Sequence, residues 1–267
     1  MHLGLIGYGN IAAALIERLT PSQVRQVTAL IRPASDAAER HAAQPLKGAP
    51  PVRFVTSLEA LTDARPQLIV ECAGHAALRD HGPALLRAGH DMVIASLGAQ
   101  ADEQFQQQMD TAAREGKARI ILPSGAIGGL DLLRAVALSG KVEVSYTGRK
   151  PPLAWKGSPA EDVVDLDRLE EAATFFTGSG RQAALQYPKN ANVVAALALA
   201  GAGFDTMRVA LVADPTVQGN QHAYEVVSPL CRYQMQIDAT GSAGNARTSA
   251  TTVLSILQEI TTYRATL

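Results

Sequence analysis

Along the first half of the chain, short apolar runs alternate with segments whose apolar residues recur at three- and four-residue spacing. The runs at 3–6, 27–31, 52–55, 68–72, 92–95 and 119–122 are rich in β-branched and aliphatic residues and predict strands. Helical periodicity predicts helices over 11–19, 76–88 and 103–115. Strands of this kind, alternating with helices, predict right-handed βαβ units and a parallel sheet covered on both faces.

The pattern changes after Pro123. Residues 142–146 alternate as a half-buried strand and run into a loop over 147–152, stiffened by Pro151 and Pro152. Further strands are predicted at 209–213, 223–227 and 233–239, with a helix over 192–200, which implies a more antiparallel second layer. In the last segment, 248–263, Val253, Ile256, Leu257 and Ile260 mark a helix with one buried face, expected to pack at the domain junction. The expected architecture is α/β: an N-terminal Rossmann-type parallel sheet over 1–123, a second α+β substrate and dimerisation domain over 124–242, and the C-terminal helix over 243–267.

Composition narrows the function classes. A chain of 267 residues, 47% hydrophobic and 18% charged, can bury two modest cores. A net charge of −1 and the lack of a Lys/Arg run argue against nucleic acid as a partner. Cys72 and Cys231 are too few for a disulfide scaffold or a structural zinc site, so a reducing, cytoplasmic setting and no metal are expected. The apolar start lacks the basic residues of a signal peptide, and Gly7 and Gly9 interrupt it. The best membrane candidate, 193–203, falls far short of the ~20 residues of a spanning helix, so no membrane partner is expected.

Gly7-Tyr8-Gly9-Asn10-Ile11-Ala12 is a G-x-G-x-x-A element between the first predicted strand and helix. Gly7 permits the tight turn, Gly9 lets backbone approach a pyrophosphate, and Asn10 and Ile11 open the helix whose free N–H groups face the phosphates. The second strand ends at Arg32 rather than a carboxylate. A guanidinium there pairs with a 2′-phosphate, so NADP is expected to be accepted alongside NAD. Cys72 and Ala73 end the fourth strand, where open α/β sheets place their ligands, and His75 follows as a residue lining the crevice and a candidate for contacting the substrate. Cys72 reads as a small buried hydrophobe rather than a nucleophile.

Two stretches in the second half carry more specific information: Pro123-Ser124-Gly125-Ala126-Ile127-Gly128-Gly129 and Pro188-Lys189-Asn190-Ala191-Asn192. With the glycine loop, Arg149-Lys150-Pro151-Pro152 and His222-Ala223-Tyr224-Glu225, their order and spacing closely resemble the L-aspartate dehydrogenase family over nearly the whole chain. The resemblance implies that Ala126 and Asn192 contact NAD(P) and that His222 is the catalytic histidine. It also implies a homodimer and a small-molecule reaction joining L-aspartate to oxaloacetate and ammonia. The product iminoaspartate would feed NAD biosynthesis, by hand-over to quinolinate synthase.

Residue chemistry is compatible with that. Oxidation at Cα moves a hydride to nicotinamide and leaves an imine, while the protein positions Cα and manages protons. A histidine has the pKa for this, and His222, between Gly219-Asn220 and a strand, is expected on a loop edge. A dicarboxylate also calls for cations, of which Lys189 is the first candidate, ahead of Arg149 and Lys150. Asn190 is expected to cap the helix that follows. The alternatives are a related two-domain reductase or dehydrogenase, of homoserine or dihydrodipicolinate type, and a non-catalytic NAD(P)-binding sensor.

Overall fold

The six apolar runs become strands of one parallel sheet in the computed structural model, which describes residues 1–188, 190–239 and 250–267. The chain divides into two units, one of Met1–Ala99, Glu103–Pro123 and Thr251–Leu267, the other of Gln100–Asp102 and Ser124–Ala250.

In the first unit the elements follow one another as β1 (His2–Ile6), α1 (Asn10–Arg18), β2 (Gln26–Leu30), α2 (Ala37–Ala43), β3 (Val52–Val55) and α3 (Leu58–Asp63). They continue as β4 (Leu68–Glu71), α4 (His75–Arg87), β5 (Met92–Ile94), α5 (Glu103–Gly116) and β6 (Ile120–Ile121). The sheet order is β3-β2-β1-β4-β5-β6, with every pair parallel. The order reverses between β1 and β4, so a crevice opens beyond their carboxyl ends, the place where such sheets take ligands. Leu3, Leu5, Leu68 and Val70 are fully buried on these two strands, each contributing roughly 1.5–3 kcal/mol.

The second unit contains α6 (Leu130–Ala137), β7 (Glu143–Lys150), β8 (Ala173–Ser179), α7 (Gly180–Gln186) and α8 (Ala191–Leu197), followed by β9 (Arg208–Ala213), β10 (Gln221–Val227) and β11 (Arg232–Asp238). The sheet order is β11-β10-β7-β9-β8, antiparallel except for the β7–β9 pair. β7 runs on to Lys150, so residues 147–150 are strand rather than loop. Their pairing partners, on β9 and β10, hold them extended. Helix α6 starts directly after Gly128 and Gly129, and α7 is closed by a capping box between Ser179 and Gln182.

The terminal helix α9 (Ala250–Arg264) buries Val253, Ile256, Ile260 and Tyr263 in the core of the first unit. The Tyr263 hydroxyl donates to Gln67 O at 2.8 Å, fixing the helix beside the start of β4. The expected boundary at 242–243 falls outside the described residues. Among the described residues no helix is long and apolar enough to cross a membrane, and no cluster of His, Cys, Asp and Glu is placed to hold a metal.

Candidate active site

The first unit brings the glycine loop and the end of β4 together. Gly7 has φ +88°, and a Cβ there would stand 2.6 Å from Ala73 Cβ, so the turn after β1 lies directly against the turn after β4. Beyond Gly9 the space is open: a Cβ would meet nothing within 4 Å. Asn10 and Ile11 begin α1, whose N-terminus has neither a side-chain cap nor an acidic residue in its first turn. An open approach, an uncapped helix end and no competing carboxylate fit a dinucleotide pyrophosphate. Gly74 precedes α4 in the same way, without a side-chain cap, and His75 is that helix's first residue.

Glu71 organises this crevice and was not a residue that sequence reasoning singled out. Its carboxylate is fully buried. Oε1 accepts hydrogen bonds from Ala73 N and Gly74 N, both at 2.8 Å, and from Ser96 Oγ at 3.0 Å. Oε2 accepts from Ser96 N at 3.0 Å. One carboxylate thus clamps the loops after β4 and β5, and its own burial is compensated by charge-assisted bonds. The signal was present: a lone acid closes the apolar run Leu68-Ile69-Val70-Glu71.

Cys72 lies in this crevice with its thiol near Ile6 O and Gly7 O, at 3.7 and 3.9 Å. Burial first, and the Glu71 charge second, push the thiol well above its ordinary pKa, so it remains protonated and is no nucleophile. Arg32, two residues beyond β2, is exposed. Its carbonyl accepts from Ser35 N at 2.9 Å, which turns the chain there. His41 bonds the Tyr8 hydroxyl through Nδ1 at 2.6 Å, and both rings pack edge-on against Phe54.

The second unit holds the other group of expected residues. Ala126 is half-buried in the loop that leads to α6. That loop is tied to β10, because the Tyr224 hydroxyl donates to Gly128 O at 2.6 Å. Asn192 is exposed in the first turn of α8. Asn190 stands at the N-cap position but its side chain makes no capping bond. Lys189 lies outside the described residues.

His222 is on the buried face of β10, not on a loop edge, and is 4% exposed. Strand alternation places it with Tyr224 and Val226, and polar contact makes its burial tolerable: the Tyr146 hydroxyl is 2.8 Å from Nδ1. Burial, and then the charge of Lys150, push the imidazole down to about 4, so the ring is neutral near neutrality. Lys150, itself buried, sits with Nζ 4.9 Å from the centroid of the Trp155 ring. Arg149 is engaged with Asp214 at 2.5 Å. Of Arg149 and Lys150, Lys150 is the one whose charge lowers the His222 pKa.

Comparison with known proteins places these features in a family. Residues 131–263 match the model for "Aspartate dehydrogenase, C-terminal", and residues 7–123 match "Homoserine dehydrogenase, NAD binding domain". The chain is 46% identical over 257 residues to an L-aspartate dehydrogenase of Ruegeria pomeroyi, covering 96% of this chain and 90% of that one. It is 40% identical over 261 residues to that of Pseudomonas aeruginosa, covering 97% and 96%. The crystal structure of aspartate dehydrogenase from Thermotoga maritima superposes with TM-score 0.77 at 27% identity, over 98% of this chain and 96% of that one. A hyperthermophilic archaeal homoserine dehydrogenase in complex with NADPH shares the fold at TM-score 0.59 and 13% identity, over 98% and 97%. The first unit is a dinucleotide-binding fold of Rossmann type, the enzyme is an oxidoreductase with a pyridine-nucleotide cofactor, and the chain belongs to the L-aspartate dehydrogenase family.

Proposed function

We propose that this chain oxidises L-aspartate with NAD(P)⁺ to iminoaspartate, NAD(P)H and a proton, and that water then converts iminoaspartate to oxaloacetate and ammonia. The observation that carries this is the near-full-length identity to L-aspartate dehydrogenases, in a chain that has both the open glycine loop and the buried His222. Gly7, Gly9, Asn10, Ile11, Cys72 and Ala73 line the dinucleotide's path in the first unit, held by Glu71. The family resemblance supports Ala126 and Asn192 as further contacts to NAD(P). When bound, the nicotinamide accepts the hydride from Cα.

His222 handles protons at Nε2. A neutral imidazole takes the proton that the substrate ammonium must lose before hydride leaves Cα, releases it to solvent, and accepts another as water adds to the resulting imine, returning that one to the departing nitrogen. A dicarboxylate brought near the ring opposes the effect of Lys150 and favours the charged form, moving the pKa up from about 4 towards the working range. Lys150, His75 and Lys189 are our candidates for the substrate carboxylates.

Arg32, two residues beyond β2 and with no carboxylate in that place, supports use of NADP as well as NAD. The family resemblance supports a homodimer and a supply of iminoaspartate to NAD synthesis through quinolinate synthase. The two free cysteines fit a reducing, cytoplasmic compartment. Purified protein mixed with NADP⁺ or NAD⁺ and L-aspartate should produce reduced nicotinamide, and L-homoserine should produce none. Reduction with L-homoserine alone would overturn the assignment.

A further inference from the structure

His222 and Tyr146 form a buried pair across two strands. In the β7–β10 register Gly148 lies opposite His222 and Tyr146 opposite Tyr224, so Tyr146 reaches His222 on the diagonal. Its Oη is 2.8 Å from Nδ1, and the two rings lie nearly parallel, 18° apart with centroids separated by 6.2 Å. Gly148 makes room for this contact. A Cβ at that position would stand 2.8 Å from Tyr146 Oη and 3.3 Å from Leu211 Cδ2.

We infer that Tyr146 is the positioning residue of His222: its hydroxyl holds Nδ1, which leaves Nε2 as the ring nitrogen that meets the substrate, and Gly148 keeps open the space the hydroxyl needs. The inference rests on the proposed oxidation of L-aspartate. A neutral hydroxyl suits a ring through which protons pass. It can donate to a bare Nδ1 or accept from Nδ1–H, so Nδ1 has a partner in either ring state. Burial pushes the Tyr146 hydroxyl well above its ordinary pKa, so it stays un-ionised and keeps both roles.

A purely space-filling role for Tyr146 predicts little effect of Tyr146→Phe, which retains the ring. Positioning predicts otherwise. Tyr146→Phe should lower kcat for L-aspartate oxidation about tenfold or more, with NADPH affinity close to wild type and a melting temperature lowered by no more than about 10 °C, the cost of one buried nitrogen left without a partner. In a His222→Ala background the same change should alter the residual rate less than about twofold, because its effect passes through the missing ring. The NMR resonance of His222 Nδ1, read in the protein without cofactor, should move in Tyr146→Phe. Gly148→Ala supplies a second perturbation that keeps both groups and displaces the hydroxyl; it should also slow turnover and move that resonance.

A wild-type rate in Tyr146→Phe, or an equal loss in both backgrounds, would overturn the inference. If Tyr146→Phe does not fold, Gly148→Ala decides: an unchanged rate and an unchanged Nδ1 resonance overturn it. A wild-type protein that fails to oxidise L-aspartate would instead refute the proposed function, while the Nδ1 resonance would still report whether Tyr146 holds the ring.

Discussion

Glu71→Gln changes one atom of a buried side chain and tests whether the dinucleotide crevice depends on a charge. The carboxylate accepts four hydrogen bonds, three of them at Oε1. The best orientation of the amide keeps its oxygen facing Ala73 N, Gly74 N and Ser96 Oγ, and turns its NH₂ towards Ser96 N. Two donors then face each other, and an unsatisfied buried N–H costs ~1–3 kcal/mol. The three remaining bonds fall from charge-assisted to neutral strength, a further loss of roughly 0.5–1 kcal/mol each. Relief from burying a charge offsets part of this. The net destabilisation is about 2–4 kcal/mol, which at 2–4 °C per kcal/mol lowers the melting temperature by about 5–15 °C. The same change loosens the turns at Ala73 and Ser96, so NADPH affinity should fall about tenfold, equivalent to one net hydrogen bond of ~1.4 kcal/mol. Thermal melts and fluorescence titration with NADPH read the two effects. A variant that melts within about 1 °C of wild type and binds NADPH equally well would refute the role given to Glu71.

Other predictions concern the cofactor turn, its selectivity and the buried histidine. Gly7→Ala combines a strained φ with a 2.6 Å contact to Ala73 Cβ, and should cost stability and dinucleotide affinity together; an unaffected melt and affinity would show that the turn can yield. Gly9→Val, where the added side chain meets open space, should fold normally and lose NADPH binding; retained binding would place the pyrophosphate elsewhere. Arg32→Asp should raise KM for NADP much more than for NAD, and equal changes would make Arg32 an ordinary surface charge. His222 titrates at about 4 in the fold against 6.5 in the unfolded chain, so its neutral form favours the fold above 6.5, and that advantage is lost as pH falls through the window, by up to about 3 kcal/mol. His222→Asn should flatten this part of the stability profile; identical acid slopes in denaturant titrations of the two proteins would contradict it.

The first unit was legible because a parallel sheet covered on both faces writes its strands as apolar runs, and the glycine loop lies at their start. The second was less so. β8, with Thr174, Thr177 and Gly178 among its residues, has a weak apolar signal, and α6 hides behind paired glycines. Arg149 and Lys150 read as loop charges in the sequence, whereas the sheet holds both. The alternation Gln221-His222-Ala223-Tyr224-Glu225-Val226 puts His222 inward, but a strand reading begun at Ala223 left it outside. Its chemical role came from the resemblance, since pattern alone does not separate it from five other histidines. The Tyr146 contact depends on long-range register, 76 residues apart in sequence, which no local signal encodes.

The proposed reaction moves a hydride from Cα of L-aspartate to a nicotinamide bound by this chain, with His222 managing the accompanying protons. It is tested most directly with L-aspartate carrying deuterium at Cα, by following label into the reduced cofactor in wild type and in His222→Ala. Wild type should transfer the label to nicotinamide C4, and His222→Ala should do so ~10²–10⁴-fold more slowly while binding NADPH normally. Reduced cofactor without the label, or near-wild-type transfer in His222→Ala, would contradict the account.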